Sequence, residues 1–548
     1  MKSMKYLTVI TFLGVLLFSC TKKLDDAYLN PNAPVKVKPS ELLPPMQYQM
    51  AINLQEDFLY LGTTAQVFAC RYTFLNVPAV TRDRTITRHE KMGWFPNIDN
   101  SGAIWRMHYW NIGQNLNRMV EWAAEDEQWD YVAAGYAIQA WSWLTLTDYH
   151  GEVILDEAFN TSLLAFKYNT QDRVYDHVRN LCKLALENFD KPVSGSDFAA
   201  ADQWFYGGDI NKWKKFVYGI LARSYHHLTN KSSYKADSVI YYCDKAMQTP
   251  AEDATYKYVG GSVNNQNNYW GRFRANNTTL RQSKYIAELM QGTQGVNSTF
   301  EGVDDPRRWY MLATAPYAAS TPTYVDTMLG IEVTKGEGPI LTAKRPNNFW
   351  GTAIVVPGVD TARFIFRDNA EFPFMTSSEI QFMKAEAAFR SGNKGLALSA
   401  YKQGIAQHFD MLLSKYNVNI RPSRVMTAAT RDAFLADTRV VPATSGALTL
   451  SQIMQQKYIA LWGHGVLEAW TDLRRYHYTD LDPATGRQVY FSFTPPLAAD
   501  LWPDNGGKWS YRVRPRHNSE YVWNIAEIAV YGGDLIDYHT KEMWFSLP

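Results

Sequence analysis

Helical periodicity constrains this chain more than any other feature of it. Apolar and aromatic residues recur at three- and four-residue spacing from Ala103 to Ala124, through Ile104, Met107, Trp110, Ile112, Leu116, Met119 and Trp122. The pattern returns over Tyr131 to Thr147, through Ala134, Ala137, Ala140, Trp141 and Leu144, and over Asp172 to Phe189. Trp213 to Leu228 with Ser233 to Met247, Glu379 to Arg390 with Gly395 to Phe409, and Ser451 to Leu461 with Val466 to Arg475 read as three helical pairs. After Arg475 no sustained period-two alternation appears, and Tyr476 to Pro548 mixes Pro, Gly and aromatic residues. The expected fold is therefore mainly α.

One pair has a narrower signature. Ala385, Gly392, Ala397 and Tyr401 follow the tetratricopeptide order of small residue, turn, small residue and aromatic. Two alanines let antiparallel helices approach closely, the glycine turns the chain, and the tyrosine fills the groove between them. Ala222, Tyr225, Ala236 and Ile240 form a looser copy with a longer connection. Long irregular stretches interrupt these units, at Thr255 to Thr279 and Pro316 to Asp368. Loops of that length inside a folded body more often carry function than structure. The reading is tetratricopeptide-like hairpins forming one side of a single large body, with irregular loop-rich insertions on the other.

The N-terminus sets the cellular context. Lys2 and Lys5 precede an apolar run from Tyr6 to Phe18, and Leu17-Phe18-Ser19-Cys20 closes it. A positive n-region and a short h-region describe a signal peptide, and about a dozen apolar residues are too few to span a bilayer. Leu-x-Ser-Cys resembles the lipobox of bacterial lipoproteins, which implies cleavage after residue 19 and acylation of Cys20. Residues 20–40, with Pro31, Pro34 and Pro39 among Lys, Asp and Asn, read as the acylated start and an extended tether. Residues 41–548 read as one domain, because no further Gly/Ser/Pro linker divides them. An ordinary secreted protein with an incidental Cys20 is the alternative.

Composition narrows the partners. Removing Lys2 and Lys5 leaves 53 basic against 54 acidic residues, a net charge near −1. No strong field follows, so nucleic acid is not an expected partner. Cys70, Cys182 and Cys243 remain, an odd and widely spaced set that reads as buried thiols rather than a disulfide framework. The 18 Trp, 34 Tyr and 26 Phe must largely fill a core, yet Trp and Tyr also recognise sugars and peptides.

No metalloprotease helix, nucleophile elbow, Walker loop or paired Cys-x-x-Cys is present in the sequence. His226 and His227 are adjacent on a helix and point to different faces, and Asp480, Asp482 and Gly486 echo a calcium loop without its remaining ligands. No metal, cofactor or catalytic residue is expected. A sugar receptor needs less: flat aromatics for the C–H face, with amides and guanidinium groups for the hydroxyls. Three loops hold that mixture: Trp94 to Asn100, then Asn267 to Arg272, then Asn347 to Trp350. The candidate ligand contacts are Trp94, Asn268, Tyr269, Trp270, Arg272, Asn348 and Trp350.

The blocks Asn30-Pro31-Asn32, Pro39 to Leu43, Leu146-Thr147-Asp148-Tyr149-His150-Gly151-Glu152-Val153, Pro373 to Ala387, Gln456 to Gly465 and Glu468 to Arg475 together resemble the SusD/RagB family of nutrient-binding outer-membrane lipoproteins. The likeness is closest to its SusD-like subgroup. Ile154 stands where that family usually has proline. The resemblance implies a helical lipoprotein, polar anchors at Glu379, Glu468, Asp472 and Arg474, and exposure on the cell surface. It further implies capture of oligosaccharide for a SusC-like TonB-dependent transporter. A peptide-binding receptor of the same transport type is the first alternative, and a surface glycan-degrading enzyme or a tetratricopeptide scaffold the others.

Overall fold

A computed structural model describes residues 36–76, 81–94, 98–260, 267–272, 278–315, 326, 328–350 and 362–548. Cys20 and nearly all of the tether lie outside the described residues.

The helical reading holds, with sharper bounds. Counting helices of eight residues or more, α1 spans Pro39–Thr64, α2 Thr81–Glu90, α3 Gly113–Glu125, α4 Trp129–His150, α5 Gln171–Phe189, α6 Ile210–His226, α7 Ala236–Lys245 and α8 Lys284–Gln291. Then follow α9 Ser377–Arg390, α10 Lys394–Lys415, α11 Ala428–Ala436, α12 Leu450–Leu461 and α13 Val466–Arg475. Helices α4 with α5, α6 with α7, and α9 with α10 pack as hairpins, and α5 on α6, α7 on α9 and α9 on α12 stack them into one layer.

The α9–α10 hairpin turns where its sequence predicts. Gly392 has φ +84°, a left-handed conformation that glycine adopts without strain. Asn393 then caps α10, its side chain accepting from Leu396 N. Ala385, Ala397 and Tyr401 are all fully buried, and the Tyr401 hydroxyl donates to Val440 O at 2.8 Å.

Buried charge ties these helices together. Arg223 of α6 donates to both Glu379 carboxylate oxygens of α9, at 2.6 and 2.7 Å. His227, just past α6, reaches Glu468 of α13 at 3.0 Å and Asp148 of α4 at 3.2 Å. Lys457 of α12 pairs with Asp472 at 2.8 Å, and Arg475 bridges Asp472 and Glu386. Arg474 donates to Trp470 O and Tyr511 O. Glu379, Glu468, Asp472 and Arg474 are thus anchors between elements. Removing one partner of such a pair strands a buried charge, which makes the set a strong constraint on helix register.

Helix α1 is the spine of the other side. Asp57 accepts from Ala103 N at 3.1 Å and Ile104 N at 2.8 Å, capping the turn that starts there. Burial pushes the Asp57 carboxyl up to about 7, against the pull of those two amides. Around the helices lie three two-stranded antiparallel sheets: β1 Phe68–Cys70 with β3 Leu280–Gln282, β2 Ala254–Tyr256 with β4 Phe372–Met375, and β5 Leu481–Asp482 with β6 Arg487–Gln488. Cys70, Cys182 and Cys243 are buried free thiols.

Two expectations need correction. The helix predicted over Ala103 to Ala124 contains a π-helical stretch, Met107–Ile112, between two α segments. Gly113 follows it with no room for a side chain, since a Cβ there would lie 2.3 Å from the Phe159 ring. The tether also ends earlier than residue 40, because Pro39 is already the first residue of α1. Among the described residues no helix is long and apolar enough to cross a membrane.

Candidate ligand-binding face

The face is built outward from the C-terminal end of α2. Glycine is required at position 93, where a Cβ would lie 2.4 Å from that of Trp502. That close approach sets Trp502 beside the start of the next loop. The Arg88 guanidinium stacks 3.6 Å over the Trp502 ring, and Phe74 meets the same indole edge-on at 4.9 Å. Trp502 N donates to Lys91 O at 2.9 Å.

Trp94 stands next in the chain, half-buried. Its ring centroid lies 5.2 Å from Tyr521 and 6.3 Å from His517, and those two rings stack on each other at 11°. Arg514 lies over the indole at 4.5 Å, held by donation to Gly533 O at 3.0 Å. Cation–π stacking of this kind fixes the ring without covering it fully. Beside it Asp99 pairs with Arg516 at 2.7 Å and accepts from Asn518 N at 3.0 Å. Asn100 donates to Thr85 Oγ1 of α2 at 3.2 Å.

A cavity of about 10 Å³ lies beneath Trp94, bordered by Leu61, Thr64, His89, Met92 and Arg512, room for about one water. Burial lowers the His89 imidazole to about 4, so it is neutral there. The face thus offers propped aromatic rings, arginines and the carboxylates of Asp99 and Asp504, the latter paired with Arg88 at 3.3 Å. That set can stack on a planar or C–H surface and hydrogen-bond hydroxyls.

The other two predicted loops do not join it. Trp270 and Trp350 are fully buried, with centroids 5.4 Å apart, in a cluster with Phe68, Phe366 and Trp462. Trp270 donates its indole N–H to Gln55 O at 2.8 Å. Asn268 and Asn348 share one local role: each side-chain oxygen accepts from the backbone N–H two residues on, Trp270 at 3.1 Å and Trp350 at 3.0 Å. Both loops are Asx turns that deliver a tryptophan into the core. Asn268 also accepts from Gln55 Nε2 at 2.7 Å, and Tyr269 is half-buried against the same core. Core packing consumes the side chains read as sugar contacts in Asn268, Trp270, Asn348 and Trp350. The Arg272 side chain lies outside the described residues, as do Phe95 and Asn97. Sequence reasoning missed Phe74, Arg88, Trp502, Arg514, His517 and Tyr521. The only trace of the last four in the sequence is the density of aromatics between Tyr476 and Pro548.

Asp148, His227 and Glu468 bring three potential metal-ligand atoms within 4.8 Å of one another. Here the imidazole pairs with both carboxylates. Burial disfavours an imidazolium, but the Asp148 and Glu468 carboxylates outweigh it and raise His227 to about 9. With both ring nitrogens protonated, the ring donates to both carboxylates, and the set reads as an ion-pair cluster.

Comparison with known proteins fits this architecture. The chain aligns with a solved SusD/RagB family protein from Bacteroides thetaiotaomicron at 20% identity and TM-score 0.66, covering 93% of this chain and 99% of that one. A chitin-binding SusD homolog from Flavobacterium johnsoniae aligns at 17% identity and TM-score 0.63, over 93% and 98%. A SusD homolog from Parabacteroides distasonis aligns at 16% and 0.64, over 92% and 98%. No curated protein matches the sequence. Residues 31–490 match the SusD-like model described as starch-binding and associating with the outer membrane, and the chain belongs to that SusD-like family.

Proposed function

We propose that this protein is a cell-surface lipoprotein, held to the outer membrane through acylated Cys20, that captures oligosaccharide on the Trp94 face. It hands the cargo to a SusC-like TonB-dependent transporter. The observation that carries the capture step is the propped indole of Trp94, with Arg514 over it and the Asp99–Arg516 pair beside it. Stacking needs no acid, base or metal and allows fast release, which suits a receptor rather than an enzyme.

An exposed apolar surface supports the partner. Trp110, Leu164, Val522, Trp523, Val530 and Ile536 are each at least half exposed. Their segments join where Phe166 N donates to the Asn524 side chain at 3.0 Å and Phe159 packs near Tyr109. Apolar surface of this kind marks an interaction site. From His517 to Ile536 there is no lysine or arginine, whereas a lipid-binding surface is ordinarily rich in both. A protein partner fits better than the bilayer.

The test is a glycan and peptide array probed with the soluble form starting at Thr21, followed by calorimetry with maltoheptaose and chitohexaose, chosen because the family model is starch-binding and one relative chitin-binding. Glycan binding that Trp94→Ala weakens supports the reading. Binding of peptides alone would replace the substrate class, and unchanged glycan binding by Trp94→Ala would overturn the site.

A further inference from the structure

We propose a second sugar-binding site, in the groove between the start of α1 and the chain that leaves β2. This inference rests on the oligosaccharide reading above and adds a separate place of contact.

The groove encloses about 300 Å³ and is walled by Pro44, Pro45, Tyr48, Trp204, Tyr256 and Tyr258, a volume at the lower end of small-ligand pockets. Its construction is local and rigid. Pro44 and Pro45 sit inside α1, where they lack an N–H and present only ring C–H groups. Tyr48 follows one turn later. Tyr256 and Tyr258 are two apart on extended chain and so share a side. The three tyrosine rings lie 5.0 to 6.3 Å from one another. Tyr258 is pinned by its hydroxyl, which donates to Gln55 Oε1 at 2.8 Å. Lys257 N donates to Trp204 O at 2.8 Å, which docks the tryptophan segment against the tyrosines.

The walls carry unused polarity. The Trp204 indole N–H, the Tyr256 hydroxyl and the Lys257 ammonium, all in residues bordering the groove, make no hydrogen bond or ion pair with another described residue. Among the described residues no carboxylate borders it. Flat rings with spare donors and no negative charge match a hexose ring, which offers a C–H face and a rim of hydroxyl acceptors. A lipid tail would leave those donors unmet at a cost.

This groove is separate from the Trp94 face. Tyr48 and Leu61 are thirteen residues apart on α1, about 20 Å along its axis, and Leu61 borders the cavity beneath Trp94. A short oligosaccharide at Trp94 does not reach the groove. Thirteen residues also turn the helix by about 220°, so the two places lie on different sides of α1 and act as independent sites.

Calorimetry on the soluble form starting at Thr21 tests this, with maltotriose against maltoheptaose and chitobiose against chitohexaose. In the series that binds the wild type, the isotherm should resolve two sites, and Trp204→Ala should weaken one of them about tenfold, a loss within the range of a real contact, and leave the other unchanged. Tyr256→Phe removes only a hydroxyl, keeps the fold and should weaken the same site in the same direction. If both variants bind the long oligomer as wild type while Trp94→Ala does not, the groove is not a sugar site and the Trp94 reading stands. If the wild type binds neither series, or the groove variants lose only binding to a proline-rich peptide, the proposal is overturned.

Discussion

His227 and Glu468 meet inside the protein, the imidazole Nε2 lying 3.0 Å from a carboxylate oxygen with both side chains buried. On the other edge of the ring Nδ1 lies 3.2 Å from Asp148, whose second oxygen accepts from the Tyr175 hydroxyl. Burial would raise Glu468, but Arg223 and His227 hold it well below the ordinary carboxylate range. The cluster therefore contains a cation between two anions, at the junction of α4, α6 and α13.

That arrangement fixes the sign of a pH effect. His227 titrates at about 9 in the folded protein, against about 6.5 in the unfolded chain. Its stabilisation is fully present below 6.5 and is lost as the pH rises through 9. Thermal melts from pH 6 to 10 should show a steeper fall for the wild type than for His227→Gln. Parallel curves would mean that the ring is neutral.

The neighbouring pair gives a larger effect. Arg223 and Glu379 are both buried and joined by two charge-assisted hydrogen bonds. Glu379→Ala removes the guanidinium's bidentate partner, leaving it only Glu468 at 3.6 Å and Phe374 O, and should cost about 3–5 kcal/mol. Replacing both residues by apolar ones of similar volume should cost less than Glu379→Ala alone, which denaturant unfolding of the two variants can measure.

Packing in the hairpin gives a third prediction. Ala397 is fully buried on α10, and Gly404 on the same helix would place a Cβ 3.0 Å from the Phe382 ring. Ala397→Leu has no space to enter and should destabilise by about 1–3 kcal/mol. Wild-type stability in that variant would mean that the two helices are not closely packed there.

These helices were legible because their packing face repeats within each segment. Helix α1 was not read, since Pro44 and Pro45 interrupt any helical pattern and tertiary burial overrides them. The π-helical turn at Met107–Ile112 escaped for another reason: one extra residue per turn barely alters an apolar spacing already full of aromatics. The candidate face was only partly legible. Trp94 could be named from its loop, but its supports Trp502, Arg514, His517 and Tyr521 come from more than 400 residues away, and no spacing rule connects them. The Asn-x-Trp pairs misled because an amide beside an indole serves equally as an Asx turn into the core.

The last prediction separates those two kinds of tryptophan. Trp270 and Trp350 are fully buried among Phe68, Phe366 and Trp462, so either alanine variant should lose about 3–5 kcal/mol of stability. Trp94 is half-buried and packs on Tyr521 and Arg514, outside the fully buried core cluster. Trp94→Ala should keep its melting temperature within a few degrees and lose about 2 kcal/mol of oligosaccharide affinity, roughly thirtyfold. Trp94→Phe retains a flat ring and should recover part of that loss, which a merely structural role would not predict for binding alone. Calorimetry and thermal melts on the same four variants decide the matter. A Trp94→Ala protein that melts early with its affinity intact would move Trp94 into the core set and leave the face without its central ring.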